Sequence, residues 1–224
     1  MKEFLLPILT LAWKDVVLEI RTKDVVTTVL IFALLTGVIF NFAFDPSREV
    51  VALVVPGILW VAFTFAGLLG FNRAFVLEKD KGSLEGLLLC PVSRDVIYFG
   101  KLAGIFTFMM VVEIVMLPFF AVLYNFPIFD VRLILIAATA TLGFAAVGTL
   151  FSAIAVNTRS REVMLPVLLL PVAAPVVIAA VEATRAILDG APWGEMIRWW
   201  QVLAAFDVIF LVLSSFVFGA VLEE

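Results

Sequence analysis

Six uninterrupted apolar stretches decide what this chain can fold into, because each is about as long as a helix must be to cross a hydrocarbon core of ~30 Å. They run over residues 25–44, 50–71, 101–124, 132–156, 163–184 and 199–221. Their hydrophobicity is continuous, whereas membrane strands would read as segments of about ten residues with every second side chain polar. With 64% of its residues hydrophobic and 15% charged, the chain carries more apolar surface than a soluble fold of this size can bury. Lipid has to cover the remainder. The sequence therefore predicts an all-α polytopic membrane protein, one transmembrane domain over residues 1–224. Residues 1–24 precede the first run and mix charge with an apolar stripe at helical spacing, Leu5, Leu9, Ala12/Trp13, Val16 and Ile20. They predict an amphipathic helix lying in the membrane interface. Glu3, Asp15, Glu19 and Asp24 within it argue against a signal peptide.

Lysine and arginine set the orientation. Lys2, Lys14, Arg21, Lys23, Arg73, Lys79, Lys81, Arg94, Lys101, Arg159 and Arg161 fall on one side, and only Arg48, Arg132, Arg185 and Arg198 on the other. This bias predicts a multi-pass membrane protein with both termini in the cytoplasm. On the outer side, residues 185–198 hold a turn at Asp189, Gly190 and Pro192. Trp193, Trp199 and Trp200 follow it as interfacial anchors. The chain has no histidine and one cysteine, Cys90. A histidine base, a Cys/His zinc site and a Cys-x-x-Cys redox pair are therefore excluded. A formal charge of −4 excludes a basic nucleic-acid footprint. No enzyme is expected.

Glu113 and Asp207 are the acids well inside the apolar runs, where a charge facing lipid costs ~2.5–3.5 kcal/mol. They must meet protein or water, or be neutral. At 1.5 Å per residue, Glu113 lies ~18 Å above the inner end of the third run and Asp207 ~12 Å below the outer end of the sixth. Both then sit at about one depth, nearer the outside. Two uses are open: hydrogen bonding between helices, or lining a polar cavity or groove. Glu182 and Arg185 read as an interfacial pair. Pro166, Pro171 and Pro175 remove backbone donors from the fifth run, so a kink or break is expected there, with a conformational hinge as the functional reading. In the fourth run Ala137, Thr141, Ala145, Thr149 and Ala153 recur every four residues and predict close helix packing.

The segment 72–100 between the second and third runs is the longest polar interval. Ser83 can cap a short helix that presents Leu84, Leu87 and Leu88 on one face, Pro91 ends it, and Ser93 starts another helix. A short cytosolic helix of this kind is unstable alone and calls for a docking partner. The pattern Glu78-x-x-x-Gly82-Ser83-Leu84-Glu85-x-Leu87-Leu88-x-x-Pro91, with Gly100-Lys101 beyond it, resembles the coupling segment of type-2 ABC exporter permeases. The amphipathic start from Trp13 to Arg21, the stretch Pro56-Gly57-Ile58-Leu59-Trp60-Val61, and the run holding Pro166, Pro171 and Pro175 narrow the resemblance to the CcmB family, membrane subunits of haem exporters in cytochrome c maturation.

The resemblance implies a type-2 ABC exporter fold and a permease that pairs with an ATPase subunit, CcmA, and works beside CcmC and CcmD. It also implies a second copy of this chain. The function so implied couples ATP hydrolysis on the partner to haem delivery or to release of the haem-loaded chaperone CcmE. The docking residues would be Glu78, Gly82, Ser83, Leu84, Glu85, Leu87, Leu88 and Pro91. One point stands independently of the family. The chain has no Gly-x-x-x-x-Gly-Lys-Ser/Thr loop, since Gly100-Lys101 is followed by Leu102, so ATP must bind a separate subunit. No cofactor is expected on this chain, and haem enters as cargo or handled ligand. Without histidine, haem would lack its commonest axial ligand, which favours a mechanical role. A permease exporting lipid, polysaccharide or drug is the alternative. A membrane enzyme lacks a nucleophile and a metal set, and a proton-coupled carrier would call for an inverted repeat.

Overall fold

A computed structural model describes residues 2–22, 24–44, 48–80, 86–87, 89–125, 130–156, 158 and 161–221. Among them the chain forms seven long helices and no strand: α1 (Lys2–Thr22), α2 (Asp24–Ala43), α3 (Arg48–Asp80), α4 (Arg94–Tyr124), α5 (Val131–Val156), α6 (Arg161–Leu188) and α7 (Trp193–Val221). α2 to α7 are each long and apolar enough to cross a membrane. The molecule is an all-α polytopic membrane protein with an additional N-terminal helix.

Helix α5 is the axis. Of its apolar span 72% is buried, against 17% for α2, and it packs against α3, α4, α6 and α7. The small residues explain this position. Ala137, Thr141, Ala145, Thr149 and Ala153 are all buried, and they let neighbouring backbones approach closely. Peripheral α2 rests on α3 and α4, and α1 lies along α4.

Two helices overrun their apolar stretches. α3 has 33 residues, about 50 Å of helix, and cannot fit inside a ~30 Å core. It continues to Asp80, while α4 already begins at Arg94, so both reach into the segment expected to be the cytosolic link. Helix hydrogen bonding propagates past the last apolar residue, which is why the apolar boundary did not mark the helix end.

The expected break in the fifth run is not there. α6 continues through Pro166, Pro171 and Pro175 as one helix. Pro171 and Pro175 lie exposed on its outer face, and the rest of the hydrogen-bond ladder carries the helix across. Gly190, at φ 73°, ends α6. The Gly190 N–H donates to Ile187 O at 3.1 Å and the Ala191 N–H to Ala186 O at 2.8 Å, and glycine takes this left-handed position without a Cβ clash.

Candidate functional site

On the segment assigned to docking, Glu78 belongs to the backbone of α3 while its side chain lies outside the described residues. Gly82, Ser83, Leu84, Glu85 and Leu88 also lie outside them. Between Leu87 and Ser93 the chain makes a tight reversal. The Cys90 N–H donates to Leu87 O at 3.2 Å and the Val92 N–H to Cys90 O at 2.8 Å. Pro91, which has no N–H to leave unpaired, sits in this reversal, and Ser93 is the N-cap of α4. Leu87 and Val92 pack half-buried against the bundle core, whereas Leu89 is 86% exposed. Gly86 and Leu87 are helical, Leu84 and Leu88 of the expected face lie outside the described residues, and Leu89 is not part of that expected face.

Beyond this reversal, α1 is fastened to the N-terminal part of α4. The Lys101 side chain is 1% exposed, and its Nζ lies 3.0 Å and 3.4 Å from the two carboxylate oxygens of Asp15. The approach is close because Gly100 and Gly104 face α1. A Cβ on Gly100 would stand 2.8 Å from Leu11 Cβ, and one on Gly104 3.2 Å from Asp15 Cβ. Phe4 meets Phe99 edge to face at 6.3 Å. The docked side of α1 thus carries Leu11 and Asp15, and the stripe residues Leu5, Leu9, Trp13 and Ile20 turn outward, more than half exposed. At its far end Glu19 Oε1 accepts the Val26 N–H at 2.8 Å, satisfying one of the otherwise unpaired donors at the start of α2.

Glu113 and Asp207 approach α5 at neighbouring residues. Thr141 Oγ1 donates to Glu113 Oε1 at 2.7 Å, and the Asp207 carboxyl lies over Gly143, where a Cβ would collide with Oδ1. Two residues of helix separate these contacts, ~3 Å along the axis, so the two acids stand at nearly one level. Glu113 Oε2 and Asp207 Oδ1 have no hydrogen-bond partner among the described residues. Glu113 borders a cleft lined also by Leu59, Trp60, Phe63, Met116, Leu117, Leu133 and Ala137, with about 10 Å³ of internal space. That is room for one water, not for a porphyrin.

The opposite end of the bundle is clamped through Asp130, which was not singled out from the sequence, and through Arg132 and the expected anchors Trp193 and Trp200. Asp130 caps α5 by accepting the Arg132 N–H at 2.9 Å. Its carboxylate also accepts from the Arg132 guanidinium at 2.6 Å. These side-chain hydrogen bonds hold the Asp130 carboxyl below its ordinary pKa. Arg132 Nη1 donates onward to Ala191 O at 2.8 Å, and its guanidinium lies 5.9 Å from the Trp193 ring. Trp200 Nε1 donates to Thr139 Oγ1 at 3.1 Å. Arg185 pairs with Asp189 at 3.9 Å instead of with Glu182. The one-turn spacing to Asp189 serves as well as the three-residue spacing to Glu182.

The family described as CcmB protein matches residues 6–224. Among curated proteins, "Heme exporter protein B" of Pseudomonas aeruginosa is 26% identical over 204 residues, covering 91% of this chain and 90% of the relative. The protein of the same name from Rhodobacter capsulatus is 28% identical over 182 residues, 79% of this chain and 82% of the relative. The Escherichia coli K12 protein of that name is 30% identical over 93 residues, 40% of this chain and 42% of the relative.

Proposed function

This chain belongs to the CcmB family, and on that premise we propose that it is the membrane permease of an ABC exporter serving haem export in cytochrome c maturation. Its energy comes from ATP hydrolysed on a separate subunit, CcmA, and CcmC and CcmD complete the assembly. The observation that carries the reading is the reversal at residues 86–93, set between two helices that overrun the bilayer and presenting an exposed leucine, Leu89. An apolar side chain held on a short turn suits insertion into a groove on the ATPase. A push there enters α4 directly, because Ser93 joins the turn to the helix.

The membrane is the bacterial inner membrane, with the reversal and both termini on the cytoplasmic side. Two contacts support a common side for these elements. Asp15 of α1 pairs with Lys101 near the start of α4, and Arg94 Nη1 donates to Gly219 O near the end of α7 at 2.9 Å. A nucleotide-driven engine closes two ATPase subunits on each other, so two copies of this chain meet in the membrane, through α2 and α6. Their outer faces carry exposed Ile31, Leu35 and Ile39 on one helix and Val163, Val167 and Ile178 on the other. The chain acts mechanically. It has no histidine for haem iron, and the cleft at Glu113 admits a water at most, so the energy it transmits serves haem delivery or release of haem-loaded CcmE by its partners.

Native mass spectrometry of the complex, co-expressed with the ATPase and lifted in lipid nanodiscs, tests the assembly. Two ATPase subunits with two copies of this chain are expected, and one copy per ATPase pair would contradict the reading. A deletion strain that keeps normal c-type cytochromes but loses a lipid or polysaccharide exporter would transfer the chain to that cargo.

A further inference from the structure

We infer that Asp15 and Lys101 form a latch that makes α1 part of the moving inner end of α4, so that force applied at residues 86–93 reaches α2 as well as α4. The inference rests on the ATPase-driven reading above. A buried ammonium paired with a carboxylate is not the cheapest way to fill this position, since an apolar pair of similar volume is often at least as stable. What the pair supplies is register. Gly100 and Gly104, one turn apart, bring the two helix backbones together, and the pair then fixes which residues of α1 lie on that seat.

The connection continues in both directions. Upstream, Lys101 is only two turns into the helix that opens at the reversal. Downstream, α1 reaches α2 through Glu19, whose carboxylate accepts the Val26 N–H. At the opposite end of the bundle α2 and α4 are tied again. Tyr124 Oη donates to Gly37 O at 2.8 Å, and Asn41 Nδ2 donates to Leu123 O at 3.2 Å. α1, α2 and α4 therefore form a frame fastened at both ends, with the Asp15–Lys101 pair as its inner fastening. Asp15 and Lys101 are positioning residues, and neither touches cargo or nucleotide.

The test uses the complex with its ATPase in lipid nanodiscs, with Cys90→Ser as background. Nitroxides at exposed Thr27, in the first turn of α2, and at exposed Val212 of α7, both apart from the residues named for the contact between copies, report the displacement between the nucleotide-free and ATP–vanadate-trapped states by pulsed EPR. The doubly neutral variant Asp15→Asn with Lys101→Met removes the pair without stranding a charge. It should keep the ATPase bound and its hydrolysis within twofold of wild type, lose the displacement at α2, and lower holo-cytochrome c in cells at least tenfold. A disulfide between cysteines introduced by Asp15→Cys and Gly104→Cys, with Lys101→Met, should restore the displacement when oxidised and lose it on reduction. A doubly neutral variant that moves and matures cytochromes as wild type does would overturn the latch. So would a disulfide that freezes the complex. Should the neutral variant fail to assemble, labels at Leu9 and Thr107 with the pair intact decide between latch and loose contact. Their separation should be the same in both states, and a change of ~5 Å or more, a full helical turn, shows that α1 and α4 part. If the wild-type complex binds no ATPase, the permease reading fails and the latch with it.

Discussion

Glu113 holds its place by one strong hydrogen bond, from Thr141 of the central helix, and its second oxygen is left over. Thr141→Val keeps the shape of the side chain and removes the donor, leaving the whole carboxyl without a partner in an apolar setting. We expect a loss of about 1–3 kcal/mol, read as a lower melting temperature of the detergent-solubilised protein, while Thr107→Val, at an exposed position of α4 whose hydroxyl bonds Ala103 O one turn back, should cost less. Asp130 behaves differently because it caps α5 at the membrane edge. Its hydrogen bonds with Arg132 lower its pKa in the folded state. The stability it contributes is therefore complete above the ordinary carboxylate pKa and is lost as pH falls through the folded value. Melting curves should show wild type more stable than Asp130→Asn at neutral pH, and the difference closing only in the acid range below about pH 4. The sequence announces Glu113 and Asp207, since an acid in an apolar run has few innocent explanations. It does not announce the pairing of Lys101 with Asp15. Those residues are 86 positions apart, no periodicity links them, and each alone reads as ordinary interfacial charge.

At the scale of elements, the apolar runs identify the six membrane helices because lipid demands continuous hydrophobicity and satisfied backbones. Their ends are less legible. The run stops where the bilayer stops, yet α3 continues to Asp80 and α4 starts at Arg94, as local hydrogen bonding is indifferent to the membrane boundary. α1 shows the same limit in another form. Its outward stripe is visible in the sequence, but the docked side depends on Gly100 and Gly104 of another helix. In α6 the prolines suggested interruption, and the helix runs on with Pro171 and Pro175 facing outward. Proline inside a helix costs about 3 kcal/mol against alanine, so Pro171→Ala and Pro175→Ala should leave the melting temperature equal or raised. If these prolines serve as a hinge, holo-cytochrome c should fall in the same variants. A lowered melting temperature would instead show that the rings hold packing.

The whole molecule is a bundle around α5, with α1, α2 and α4 fastened together on one side and the turn at residues 89–92 leading into α4. On the function proposed above, work enters at the turn and this chain passes it on. Leu87 cannot test this cleanly, because it packs half-buried against its own bundle and a charge there would damage the fold. Leu89 can, since its side chain is 86% exposed and touches little of its own chain. In cells carrying Leu89→Asp, the decisive measurement is co-purification of the ATPase together with holo-cytochrome c. Transmission from the turn requires normal amounts of the chain in the membrane, loss of the bound ATPase, and near absence of holo-cytochrome c, with haem-loaded CcmE formed but held upstream. Undiminished ATPase binding with normal holo-cytochrome c would contradict entry of work at the turn.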